Sequence, residues 1–203
     1  MTRSRLVCSG AIVLAGLVSA CSTSPPAQFY TLTSESPGAD QPIAPTPFVF
    51  SISVGPVGLP EAVNRPQFVV RDGPNRVVVL EGHRWAEPLK SGIAEAVAGN
   101  LSRDLGGARV TPMTQSAAMN AQFDVSLDVQ RFDLIVGDAA VIDVVWTIKS
   151  RNGDAEPIAG HSNVRESAQT SGDAYDALVA AQVRAWAGVS REIAARLLGN
   201  APK

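Results

Sequence analysis

A cysteine closes a short apolar run, Leu17-Val18-Ser19-Ala20-Cys21. Small residues before a thiol at the end of such a segment point to covalent modification of Cys21. Other groups able to do chemistry are few. The two histidines, His83 and His161, lack companions at metal-ligand spacing, so no zinc site is expected and both read as solvated surface groups. Gly55-Pro56-Val57-Gly58 lacks the Lys-Ser/Thr of a phosphate loop and does not open a helix. Ser102 and Ser167 have no neighbouring base or elbow motif. Asp124 and Asp128 share one strand face, but that face is polar throughout and reads as solvated. These residues predict no catalysis, no metal and no cofactor; the chain is not expected to be an enzyme.

The elements around Cys21 say what its chemistry is. Arg3 and Arg5 precede an apolar run, Leu6 to Leu17, too short to span a bilayer comfortably. With the residues up to Cys21 this resembles a bacterial lipobox. The resemblance implies that the thiol takes a diacylglycerol, that the peptide is cut before Cys21 and that the new amine is acylated. Cys8 leaves with the signal, so no disulfide is expected in the mature chain. The boundaries read as a lipoprotein signal peptide over 1–20, a lipidated tether over 21–28 and one domain over 29–203. Removing 1–20 takes away two arginines and no acid, moving the formal charge from −2 to −4. Ser22 stands where an aspartate would resemble an inner-membrane retention signal, which favours the outer membrane, periplasmic face. Several acyl chains anchor firmly where one is marginal. Hydrophobic residues at 45% supply a core, 18% charged residues exclude a disordered charged tail, and no basic stripe suits nucleic acid.

The stretch from Val54 to Leu89 organises the rest. Gly55-Pro56 and Gly58-Leu59-Pro60 break a strand end, and Pro66 holds Arg65 extended. Phe68–Val70 and Val77–Leu80 form a hairpin across Asp72-Gly73-Pro74-Asn75. Arg84-Trp85-Ala86-Glu87-Pro88-Leu89 leads into a helix, with Pro88 tolerated in the first turn. With Arg65, Arg71 and Arg84 nearby, this reads as a stiff, aromatic-tipped docking ridge. The stretch resembles the PqiC family of outer-membrane lipoproteins, also described as ABC-type transport auxiliary lipoproteins. The likeness lies in the V-G-P-V-x-L-P opening, the R-P-Q strand, the D-G-x-N-R hairpin and R-W-A-E-P-L, and it extends loosely from Phe29-Tyr30-Thr31-Leu32 to the last helix.

Around that stretch the pattern is mixed. Phe29–Leu32 reads as a first strand, Ser34–Pro47 as a loop, and Phe48 to Val54 as a half-buried strand. Trp85, Leu89, Ile93, Val97, Leu101 and Leu105 recur every four residues, a step that drifts by about 40° per repeat against the helix. Trp85 is therefore expected partly outside the core. Arg109–Met113 reads as an edge strand because of Pro112. The alternation of Phe123, Val125, Leu127 and Val129 slips to Phe132, Leu134 and Val136, predicting a bulge near Gln130-Arg131. Ile142, Val144, Trp146 and Ile148 return as a strand, and Ile158–Thr170 as a polar edge. Asp173 caps a last helix whose buried face carries Leu178, Val183, Trp186, Ile193 and Leu197. The expected core also holds Phe50, Ile52, Phe68 and Phe123. The class is α+β, a mostly antiparallel sheet with two amphipathic helices packed on it.

The resemblance implies an interaction protein: the outer-membrane lipoprotein of an intermembrane lipid (phospholipid) transport system. Its implied partner is a periplasm-spanning MCE-domain protein, PqiB-like, whose ring shape suggests a homo-oligomeric ring of this chain. Arg65, Arg84 and Trp85 are the expected partner-binding residues, with Pro60 and Pro66 holding the loop in its bound shape. Two other readings stand beside it: a lipid carrier with its own pocket, and an activator of a cell-wall enzyme. The competing account of Arg84 is a surface pair with Glu87.

Overall fold

Two neighbouring strands of one hairpin, β6 (Phe123–Ile135) and β7 (Ala139–Ser150), form the longest ladder, and the sheet is built outward from it. The computed structural model describes residues 26–35, 50–153, 155–168 and 172–199. Cys21, the signal peptide, most of the tether, the predicted loop after Glu35 and the start of the Phe48 strand lie outside the described residues.

Beyond β7 lies β8 (Ile158–Ser167), antiparallel and outermost. The opposite edge of β6 takes two strands in succession, both parallel to it. β2 (Ile52–Gly58) pairs along Phe123–Asp128, and β3 (Gln67–Arg71) pairs at Leu134 and Ile135. β5 (Val110–Pro112) flanks β2 as the predicted edge. β4 (Val77–Trp85) flanks β3 as its hairpin partner, and β1 (Gln28–Tyr30) runs parallel to the end of β4. The long ladders are antiparallel, the short ones parallel, and the class is α+β. The predicted bulge is present: the β6–β7 register shifts between Val129 and Arg131.

Two helices cover the sheet. α1 (Leu89–Asp104) lies on β2 and β5, α2 (Ala174–Gly199) on β7 and β8, and they touch each other. Ile93, Val97 and Leu101 of α1, with Leu178, Trp186, Val189 and Ile193 of α2, are fully buried. Each such side chain contributes about 1.5–3 kcal/mol of transfer free energy. The Asp173 carboxylate accepts from the amides of Tyr175 (2.7 Å) and Asp176 (3.2 Å), the predicted N-cap.

Four expectations need correcting. Trp85 is not on a helix. It is the last residue of β4, 6% exposed, with its ring 4.4 Å from Phe68 and 6.2 Å from Phe132. The four-residue stripe begins only at Leu89, so the drift argument does not reach Trp85. β2 does not stop at Val54: Gly55, at φ +131°, absorbs a register shift and the strand runs on to Gly58. Phe50 and Phe123 are half-buried at the sheet's end, meeting edge-to-face at 5.5 Å, and Val183 is likewise only partly buried. His83 is no solvated surface group: its ring lies 4.0 Å from Tyr175 and its Nδ1 is 2.9 Å from the Tyr30 hydroxyl.

Candidate functional site

The base of the β3–β4 hairpin opens into a cleft of about 320 Å3, bounded by Asn64-Arg65-Pro66 on one side and Trp85-Ala86-Glu87-Pro88-Leu89 on the other. Local sequence builds both walls. The amides of Val63 and Asn64 donate to the carbonyl of Pro60, closing a turn that delivers Arg65 to the surface. Pro66 cannot donate but its carbonyl accepts from the Trp85 amide at 2.7 Å, stitching the walls together. The Ala86 amide donates to the Tyr30 carbonyl, so the second wall is also tied to β1. Pro88 then takes the cap position of α1 rather than its first turn.

The predicted contact residues divide. Arg65, Pro66 and Trp85 come together at the cleft, with Arg65 exposed and Trp85 forming the floor from inside the core. Arg84 stands on the outward side of β4 beside it. Arg84 pairs with Glu81, not Glu87: Nη2 is 3.3 Å from the Glu81 carboxylate and Nε donates to the Glu81 carbonyl. Pro60 lies apart, lining a smaller cavity of about 120 Å3 with Val63, Arg71 and Asp133. Arg71 does not join the ridge at all. It sits at the far end of β3, where Nη2 donates to Asp133 at 2.8 Å.

Sequence reasoning missed two members of this surface. Phe29 pairs in register with Arg84 across β1 and β4 and is 65% exposed, so the aromatic that faces solvent here is Phe29 rather than Trp85. Its place in an apolar first strand hid it. Glu87 is the second. Burial, then the nearby charge of Glu95, pushes its carboxyl above the ordinary range. Its carboxylate lies over Gly92 so closely that a Cβ there would come within 3.3 Å of Oε1. The cleft thus offers an exposed guanidinium and a carboxyl raised by burial, while Phe29, beside Arg84, lines a separate groove against α2. That combination does not assemble a nucleophile with a base.

The remaining candidates are structural contacts. Asp124 is held by Arg151 through two bonds of 2.8 and 2.7 Å, and His161 Nε2 lies 2.7 Å from Asp143. Among the described residues no group of three or more His, Cys, Asp or Glu is placed to hold a metal.

Residues 30–194 match the family model of the ABC-type transport auxiliary lipoprotein component. Two solved structures share the fold. One is an uncharacterized protein, 21% identical, covering 85% of this chain and 99% of its own, with a TM-score of 0.68. The other is a protein from Xanthomonas campestris, also 21% identical, covering 85% of this chain and 95% of its own, with a TM-score of 0.63. No curated protein matches the chain.

Proposed function

This chain belongs to the ABC-type transport auxiliary lipoproteins, and from that premise we propose that it is the outer-membrane subunit of an intermembrane phospholipid transport system. It docks an MCE-domain periplasmic conduit through the cleft at the base of the β3–β4 hairpin. The acyl chains on Cys21 fix one end to the membrane, and the domain holds the partner in line with it. No bond is made or broken.

The observation that carries this reading is the cleft itself. Arg65, Pro66 and Trp85 were singled out as partner-binding residues from the sequence, and all three border one concavity. Arginine can pair a carboxylate through two parallel bonds, and a prefixed loop lowers the ordering cost of association. A carrier would need a deep apolar interior. The space between α2 and β7–β8 is instead filled by Leu178, Trp186, Val189 and Ile193, each without solvent exposure, and the groove of about 630 Å3 where α2 meets β1 is shallow and open rather than enclosed. A ring of copies around the conduit would present several such clefts at once and strengthen a weak single contact.

The test is capture of the MCE-domain partner by a variant in which Arg65 and Arg84 are both alanine. Trp85 stays intact, because its loss would unfold the site it floors. Capture should fall with the circular dichroism unchanged. Full capture by the folded variant would move the interface away from the cleft.

A further inference from the structure

The open half of β4 is not used by the cleft. β1 pairs with β4 only at His83–Trp85, so among the described residues Val77–Gly82 has β3 on one side and no strand on the other. Val77, Val78 and Val79 are 48%, 37% and 37% exposed. They sit on both faces of the ladder, because Val77 and Val79 pair with Arg71 and Val69 while Val78 pairs with Val70. An uncharged β-branched run on an open edge is what water-facing sheets normally blunt with charge or proline. The flanking charges here, Asp72 and Arg76, neutralise each other at 2.7 Å.

The register explains why β1 stops short. Continued backward, it would set Pro25-Pro26 opposite Leu80 and Glu81. Prolines have no N–H for a ladder, so pairing cannot continue past them. Because β1 is parallel to β4, the chain leaves β1 in the direction of the hairpin tip. From His83 back to Val77 is about 20 Å of strand, and the seven residues from Cys21 to Gln28 reach at most about 25 Å. An acylated Cys21 can therefore reach a bilayer at about the level of the valines. Val136, 45% exposed in the β6–β7 turn, lies at the same end, since Arg71 pairs with Ile135.

We propose that Val77–Val79 at the tip of the β3–β4 hairpin, supported by Val136, seat in the headgroup region of the phospholipid bilayer that holds the anchor. The proposal rests on acylation of Cys21, part of the function proposed above. A tip seated there orients the domain as well as tethering it. The docking cleft, at the other end of the same hairpin, then faces the periplasm rather than the membrane.

The experiment uses the mature acylated protein reconstituted in phosphatidylethanolamine–phosphatidylglycerol vesicles. Val78→Cys carries an environment-sensitive fluorophore; the Cys21 thiol is consumed by its lipid, so labelling is selective. Emission should rise severalfold, shift to the blue and be quenched by lipids spin-labelled near the headgroup. Val136→Cys should behave alike, and Glu156→Cys, in the β7–β8 turn at the opposite end, should not. Circular dichroism confirms that each variant folds, and the intact mass confirms acylation, which separates a failed anchor from a failed tip contact. Unchanged emission at Val78 and Val136 in acylated protein overturns the proposal. So does a rise that lipid quenchers leave untouched, which would place a strand of another copy or of a partner on this edge.

Discussion

The rings of Phe68 and Trp85 lie 4.4 Å apart, tilted by 38°, so the tryptophan that ends β4 belongs to the core beneath the cleft. Trp85→Ala should therefore cost about 3–5 kcal/mol of unfolding free energy, read from the denaturation midpoint. A loss below about 0.5 kcal/mol would return the indole to the surface.

Gly160 faces Trp146 across β7 and β8, and a Cβ built on it would lie 2.1 Å from Cζ2 of the indole. The indole cannot move freely, because it is 2% exposed and its Nε1 donates to Ser162 Oγ at 2.9 Å. Gly160→Ala should destabilise by about 1–3 kcal/mol, the usual range for forcing extra volume into a packed site. An unchanged melting temperature would mean that the ring has room to slide.

Asp133 should add stability as the pH rises through the acid range. Burial pushes its carboxyl up, but bonds from Arg71 and Arg131 outweigh that and hold it below the usual carboxylate range. A depressed folded-state value gives stability that is present above the unfolded value, about 3.9, and lost as the pH falls through the folded one. Glu87 and Asp104, both raised by burial, act in the opposite sense: they favour the fold when protonated and lose that as the pH rises. Asp133→Asn should cost about 1.5–3 kcal/mol near neutrality, since it removes the charged partner that Arg71 and Arg131 share, and progressively less below about pH 4. A difference independent of pH would contradict this balance.

Cys21→Ala should abolish incorporation of a fatty-acid probe and release the protein from membranes. Equal labelling of both proteins would remove the anchor from this account.

Much of the fold was legible because its signals were local. Alternation placed β6 and β7 and even their bulge, since a change of phase at Gln130-Arg131 has one inexpensive backbone solution. Asp173 announced α2 by its capping chemistry. The sheet order was not legible, because nothing local in β2 and β3 shows that both lie parallel along one edge of β6. The site was half legible. Pro66 fixes Arg65 where it was expected, while Trp85 was assigned to the wrong element because a four-residue spacing can continue across a strand–helix boundary. Phe29 was missed because its exposure depends on pairing with Arg84, more than fifty residues away.

The central claim is that a partner protein occupies the cleft beside Arg65. Its most direct test is a photo-crosslinking residue at position 65 of the full lipoprotein in living cells, with a second at Asn163 on the polar outer strand. Arg65 should give an adduct whose tryptic peptides come from an MCE-domain protein, and Asn163 should give none. Adducts at Asn163 with none at Arg65 would contradict the account and put the partner on β8.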